Sequence, residues 1–153
     1  MSHCLRSNGL ADIGRLIVNI KVPSHPKYLS LVRTVTVKVA EISGMPKSVR
    51  EHVKLAVDEA CANVIRHAYR GDPGKSIGLR YEVTEKGFEV VIDDEGRKAE
   101  LEKIKGRDLG KVKPGGLGTH FIRRAFEIIK FDGRKRKGNR LRLIRQRKDG
   151  KWR

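Results

Sequence analysis

The stretch PKSVREHVKLAVDEACANVIRHAY, residues 46–69, decides how the rest of the chain is read. Pro46 suits a first helical position, where a missing N–H is harmless. The turn residues Gly71-Asp72-Pro73-Gly74 mark the far end. Between them Val49, Val53, Val57, Ala60 and Val64 recur at threes and fours, which predicts a helix from Lys47 to about Tyr69 with one buried stripe. Glu59, Asn63 and His67 are spaced by four and share another face of that helix. The small residues Ala56, Ala60 and Cys61 adjoin this face and let a ligand approach closely. A carboxylate and an amide oxygen one turn apart suit magnesium, which takes few protein oxygens and completes its shell with water and phosphate. The carboxylate can instead act as a base toward a hydroxyl or water. A solvated polar face is the plain alternative.

Elements on either side make one α/β domain. Arg15 to Val22 is β-branched and short, a strand ending at Pro23. Ser24 is the expected N-cap of a helix from about Pro26 to Ile42 that Gly44 closes. The run Thr34-Val35-Thr36-Val37 weakens that helix on propensity alone. Downstream, Ile77–Thr84 and Phe88–Asp93 read as a β-hairpin turning at Glu85-Lys86-Gly87. From Gly96 to Gly116 the chain is charged and Gly-rich without a clear element, a length typical of functional lids. A helix from about Leu117 to Glu127 and two strands near Ile128–Asp132 and Arg140–Arg145 complete the order. The expected organisation is a flexible terminus over residues 1–13, one domain over 14–148 and a basic tail over 149–153.

Two further pieces carry chemistry. In Val90-Val91-Ile92-Asp93-Asp94-Glu95-Gly96, acidic residues stand where a buried strand ends. A carboxylate there can accept a hydrogen bond from an exocyclic amine, and Gly96 lets backbone pass close to a flat ring. In Lys113-Pro114-Gly115-Gly116-Leu117-Gly118-Thr119-His120, glycines at a helix start expose N–H groups to an anion. An ordinary turn and a flexible loop are the respective alternatives. Gly106-Arg107-Asp108-Leu109-Gly110-Lys111-Val112 is too short for a P-loop and lacks its Ser/Thr, and no dinucleotide fingerprint follows a strand.

Composition narrows the class. The chain has 153 residues and a formal net charge of +17. No apolar run approaches the roughly 18 residues of a membrane span, and the start lacks a signal-type apolar segment. Two cysteines, Cys4 and Cys61, form neither a disulfide framework nor a metal spacing. A secreted mini-protein, a zinc finger and a membrane protein are therefore set aside, which leaves a soluble domain of a reducing compartment, expected to be cytoplasmic. The charge is uneven: residues 46–96 carry eight basic against ten acidic side chains, residues 97–153 carry 21 against six. The excess belongs to the last third. It points to an acidic partner, nucleic acid or protein.

Taken in order, three segments resemble the nucleotide boxes of the GHKL ATPase superfamily, and more narrowly its bacterial branch of anti-sigma-factor serine/threonine kinases. They are Val57-Asp58-Glu59-Ala60-Cys61-Ala62-Asn63 with His67-Ala68-Tyr69, then Asp94-Glu95-Gly96, then Gly115-Gly116-Leu117-Gly118. The resemblance runs from about Arg15 to Arg147. It implies an α+β fold, a two-layer α/β sandwich with a mixed, mostly antiparallel sheet and helices on one face. It implies ATP or ADP with Mg2+ as cofactors, Glu59 as catalytic base and Asn63 as magnesium ligand. Asp94 would bind the adenine amine with Gly96 beneath the ring. Gly116 and Gly118 would offer N–H groups to the phosphates, with Lys113, Gly115, Leu117 and Thr119 around them. Residues 97–114 would close as a lid. Partners implied are a sigma factor and a STAS-type anti-anti-sigma protein that is phosphorylated on Ser or Thr, with possible pairing of two copies. Lys98, Thr119 and Asn139-Arg140 depart from the family pattern, the last where relatives often place a Thr that supports the Asp through water.

Two other readings stand beside the kinase. One is a nucleotide-sensing module that sequesters a partner without transferring phosphate. The other is a nucleic-acid binder using Arg134-Lys135-Arg136-Lys137 and Arg140, Arg142, Arg145 and Arg147. Few aromatic residues accompany these cations, which argues against base stacking.

Overall fold

Strand alternation and one long amphipathic helix build two layers. A computed structural model describes residues 14–98, 117–132 and 134–153. Its strands are β1 (Arg15–Pro23), β2 (Ser76–Thr84), β3 (Gly87–Asp94), β4 (Ile128–Phe131) and β5 (Asn139–Gln146). They form one sheet in the order β1-β2-β3-β5-β4, and every described pairing is antiparallel. The helices are α1 (Leu29–Ile42), α2 (Lys47–Asn63) and α3 (Leu117–Ala125). This is the α+β arrangement that the resemblance implies, except that among the described strands the sheet is wholly antiparallel and not mixed, since each strand pairs with neighbours that run against it.

Parity along β2 and β3 sets the core. Ile77, Leu79, Tyr81 and Val83 alternate inward on β2, and Phe88, Val90 and Ile92 do so on β3. Continuing that period of two, the next inward residue is Asp94, only 3% exposed. Its neighbour Asp93 turns to the outer face, where Arg140 grips it with Nε 2.8 Å from Oδ1.

The helical stripe meets this face through Val53, Ala56, Val57, Ala60 and Cys61, all buried. Val49 and Val64 pack at its margin. Helix α1 buries Leu29, Val32, Thr36, Val39 and Ala40 despite its β-branched run, because packing outweighs a weak intrinsic propensity. The Thr36 hydroxyl donates or accepts at 2.7 Å with the Tyr81 hydroxyl, tying α1 to β2. Gly44, at a φ of +78°, closes α1 as expected.

Two local details differ from the sequence reading. Ser24 does not cap a helix; its buried hydroxyl donates to the Asp72 carbonyl at 2.6 Å, and His25 Nδ1 instead accepts from the Lys27 N–H at 3.1 Å. A 3-10 turn, Pro26–Tyr28, precedes α1 for that reason. The long helix is α-helical only to Asn63 and then widens into a π-helical turn, Val64–Ala68. After β5 the chain folds back: Trp152 Nε1 and the Arg147 guanidinium both donate to the Ser43 carbonyl, with Arg147 stacked 4.5 Å above the Trp152 ring. No helix among the described residues is long and apolar enough to cross a membrane.

Candidate functional site

The C-terminal half of α2 presents Glu59 and Asn63 one turn apart, both part-buried. Arg66, in the π-helical turn, reaches back along the helix toward both, the direction in which helical side chains lean. A single nitrogen, Nη2, lies 2.9 Å from Glu59 Oε1 and 2.8 Å from Asn63 Oδ1. The carboxylate and amide oxygens thus converge on one cationic point. That donor set, two hard oxygens already holding a positive charge between them, fits a divalent cation that draws its other ligands from phosphate and water. No group of three or more His, Cys, Asp or Glu side chains converges among the described residues. Cys61 is wholly buried behind the same turn, and burial pushes its thiol well above the usual range. It is a packing residue.

At the end of β3, Asp94 is held from several directions. Its Oδ1 accepts from the Gly96 N–H at 2.8 Å and from Asn139 Nδ2 at 2.9 Å. Both donors fall on the same oxygen. Its carbonyl accepts from Lys135 Nζ at 2.5 Å. Asn139 Nδ2 also reaches the Arg97 carbonyl at 2.9 Å, so one amide joins the start of β5 to the residues that follow Asp94. A Cβ on Gly138 would stand 2.0 Å from the Asp94 carbonyl oxygen, and its φ of +76° is itself a glycine conformation. Gly138 and Asn139 were not among the residues the sequence singled out as ligands. Their signal was there in Asn139-Arg140, read only as a departure from the family pattern.

Gly96 makes a close approach, to the end of the long helix. A Cβ there would lie 2.4 Å from the Ala68 carbonyl oxygen, and the next N–H, of Arg97, donates to that oxygen at 2.8 Å. Tyr69 completes the joint. Its hydroxyl donates to the Ser76 carbonyl at 2.6 Å and accepts from the Glu95 N–H at 2.8 Å. Burial raises the Tyr69 phenol above its ordinary value, with the neighbouring Asp94 and Glu95 charges pushing the same way and the Glu95 N–H opposing. The segments carrying Asn63 and Asp94 are therefore linked through Ala68 and Tyr69.

Of the glycine-rich segment, Leu117 and Gly118 form the start of α3 and Thr119 follows exposed on its first turn. Lys113, Gly115 and Gly116 lie outside the described residues, as does most of the 97–114 segment. Arg97 and Lys98 are described. The Lys98 ammonium donates to the Lys135 carbonyl, bringing Arg97 and Lys98 to the exposed basic loop of Arg134, Arg136 and Lys137. Part of the positive charge of the last third thus collects at the Asp94 end.

Comparison with known proteins bears on this geometry. The histidine kinase-like ATPase domain family matches residues 22–145. The chain is 31% identical over 122 residues to serine-protein kinase RsbW of Bacillus subtilis, across 74% of this chain and 76% of that protein. It is 30% identical over 122 residues to serine-protein kinase RsbW of Listeria innocua, across 74% and 78%. The RsbW of Oceanobacillus iheyensis is 29% identical over 123 residues, across 75% and 78%.

Proposed function

This chain belongs to the histidine kinase-like ATPase domain family, and from that premise we propose that it is an ATP-dependent protein serine/threonine kinase acting as an anti-sigma switch. The observation that carries the reading is the convergence of Glu59 and Asn63 on one cationic point, on a helix whose end is hydrogen-bonded through Ala68 and Tyr69 to the residues that follow Asp94.

Phosphoryl transfer is mostly positioning and charge neutralisation. In this reading Asn63 is the residue that would hold magnesium, which would supply charge neutralisation to the triphosphate. Glu59 takes the proton of the incoming Ser or Thr hydroxyl as its oxygen bonds the γ-phosphorus and the bond to ADP breaks. Asp94 accepts from the adenine amine, and the two donors on its Oδ1 orient the carboxylate for that contact. Gly118, with Leu117 and Thr119 beside it at the start of α3, would offer its N–H to the phosphates, while Lys113, Gly115, Gly116 and the 97–114 segment keep only the roles that the resemblance implies.

The hydroxyl belongs to a STAS-type anti-anti-sigma protein, and the competing partner is a sigma factor. Pairing of two copies belongs to the same proposal. Incubation of the full chain with γ-labelled ATP, Mg2+ and a candidate anti-anti-sigma protein tests it. Label on the partner, lost with Glu59→Ala, is the expected result. Nucleotide binding without any transfer to such partners would leave a sequestering module instead.

A further inference from the structure

Arg66 has a chemistry that the kinase reading leaves unused. It sits seven residues after Glu59 and three after Asn63, in the π-helical turn that continues α2, and its side chain reaches back to both. One guanidinium nitrogen donates to both oxygens, at 2.9 and 2.8 Å. Its charge occupies the point on which the two oxygens converge, and the Asn63 Oδ1 it binds is the atom a divalent cation would need. The side chain is 55% exposed against 26% for Glu59, so water can solvate the guanidinium as soon as it lets go.

We propose that Arg66 is a positioning residue that stands in for the divalent cation, holding Glu59 and Asn63 together in the free protein and competing with metal for Asn63 Oδ1. The inference rests on the reading of Asn63 as the metal-binding residue. Two consequences follow from the charge and the geometry. With Arg66 in place, the carboxylate and amide keep their convergent orientation without metal. To admit a doubly charged ion, the guanidinium has to leave, because like charges repel at such separations. Arg66 therefore sets the metal concentration at which nucleotide binds, while the adenine end is unaffected. Exposed ion pairs are weak, so the competition is modest, about two- to five-fold in the metal requirement.

The test is ADP binding by calorimetry to the full chain, with Mg2+ titrated upward from chelated buffer. Arg66→Ala and Arg66→Gln are both exposed substitutions, and thermal unfolding checks that each remains folded. Both should reach half-saturation at about two- to five-fold lower Mg2+ than the wild type. Arg66→Lys, which keeps the charge, should return most of the way. Added salt should narrow the difference, since it screens the exposed pair. An unchanged Mg2+ midpoint in both neutral variants, while Asn63→Ala abolishes the metal dependence, overturns the role of Arg66 and leaves the site reading intact. A higher requirement also overturns it and makes Arg66 a phosphate ligand. If Asn63→Ala leaves the metal dependence unchanged, both the site reading and the inference fall.

Discussion

The two ends of the candidate site are built in opposite ways. At the helix end, Glu59, Asn63 and Arg66 come from a single stretch of α2 and its π-helical turn, meet through side-chain contacts alone, and leave the guanidinium more than half exposed. At the strand end, Asp94 is 3% exposed and fastened by groups from the turn after β3, from β5 and from the loop before β5. Side-chain contacts between exposed groups are cheap to exchange, whereas a buried carboxylate with its hydrogen bonds made is costly to disturb. In the proposed function the difference separates labour: one end would trade a protein cation for a metal, while the other holds its shape before a ligand arrives.

The most forceful way to break this division is at the helix end. Glu59→Ala should leave ATP-Mg affinity near wild type and lower phosphoryl transfer by about 100- to 10,000-fold, the usual contribution of a positioned base, read by single-turnover labelling. Binding lost together with transfer would show that Glu59 holds the nucleotide as well. Asn63→Ala should weaken ATP-Mg binding by about 100-fold or more, since even outer-shell changes at a metal cost ten- to 100-fold. Calorimetry showing unchanged affinity would remove Asn63 from the site. Neither change should lower the melting temperature much, because neither side chain supports the core.

At the strand end the expected losses are in stability. Gly138→Ala puts a Cβ 2.0 Å from the Asp94 carbonyl oxygen and 2.5 Å from Glu95 Cα, both backbone atoms with little room to yield. A loss of about 2–4 kcal/mol in denaturant unfolding is expected from the overlap and the left-handed backbone together. A near-neutral result would mean that this joint is looser than its distances indicate. Tyr69→Phe removes the hydroxyl that bridges Ser76 and Glu95, for about 1–2 kcal/mol.

The smallest effect is in the alkaline range. Tyr69 and Tyr81 both have phenols raised above the ordinary 10.0, chiefly by burial. Above that value the unfolded chain gives up protons that the folded one keeps, so stability is full below about pH 10 and falls as pH rises beyond it. Unfolding followed by denaturant from pH 8 upward should show that fall. Tyr69→Phe should make it shallower without abolishing it, because Tyr81 keeps its hydroxyl. An unaltered slope would place the alkaline sensitivity in the core at Tyr81 and not at the strand end.

Much of this could be read from local pattern. The stripe from Val49 to Val64 located α2, and the hairpin turning at Glu85-Lys86 fell where its residues indicated. The facing of Glu59 and Asn63 followed from helical period alone. Where the reading slipped, a distant partner was responsible. Ser24 has the composition of an N-cap, but the Asp72 carbonyl, 48 residues away, takes its hydroxyl. Asn139 looked like a missing support for Asp94, yet its amide reaches the carboxylate directly across 45 residues. Gly96 was read only for closeness to a flat ring, and the packing on Ala68 that by itself requires a glycine there was not legible locally. Of the basic side chains in the last third, Arg140 and Arg142 form ion pairs with Asp93 and Glu89 across the outer sheet, and the net +17 is the excess that stands after such pairs are counted.

The sequence by itself determined the order of elements, the apolar stripe and the pairing of a carboxylate with an amide on one helical face. Each of these depends on spacings of a few residues, which the periods of helix and strand convert directly into geometry. Only the tertiary structure decided which oxygen of Asp94 is already engaged, why Gly138 has no side chain, and that Tyr69 joins the two ends of the site. Those facts depend on groups brought together from β2, β3, β5 and the end of α2, and no local period encodes such meetings. The helix end of the candidate site was therefore legible from a dozen residues, and the strand end required the whole sheet.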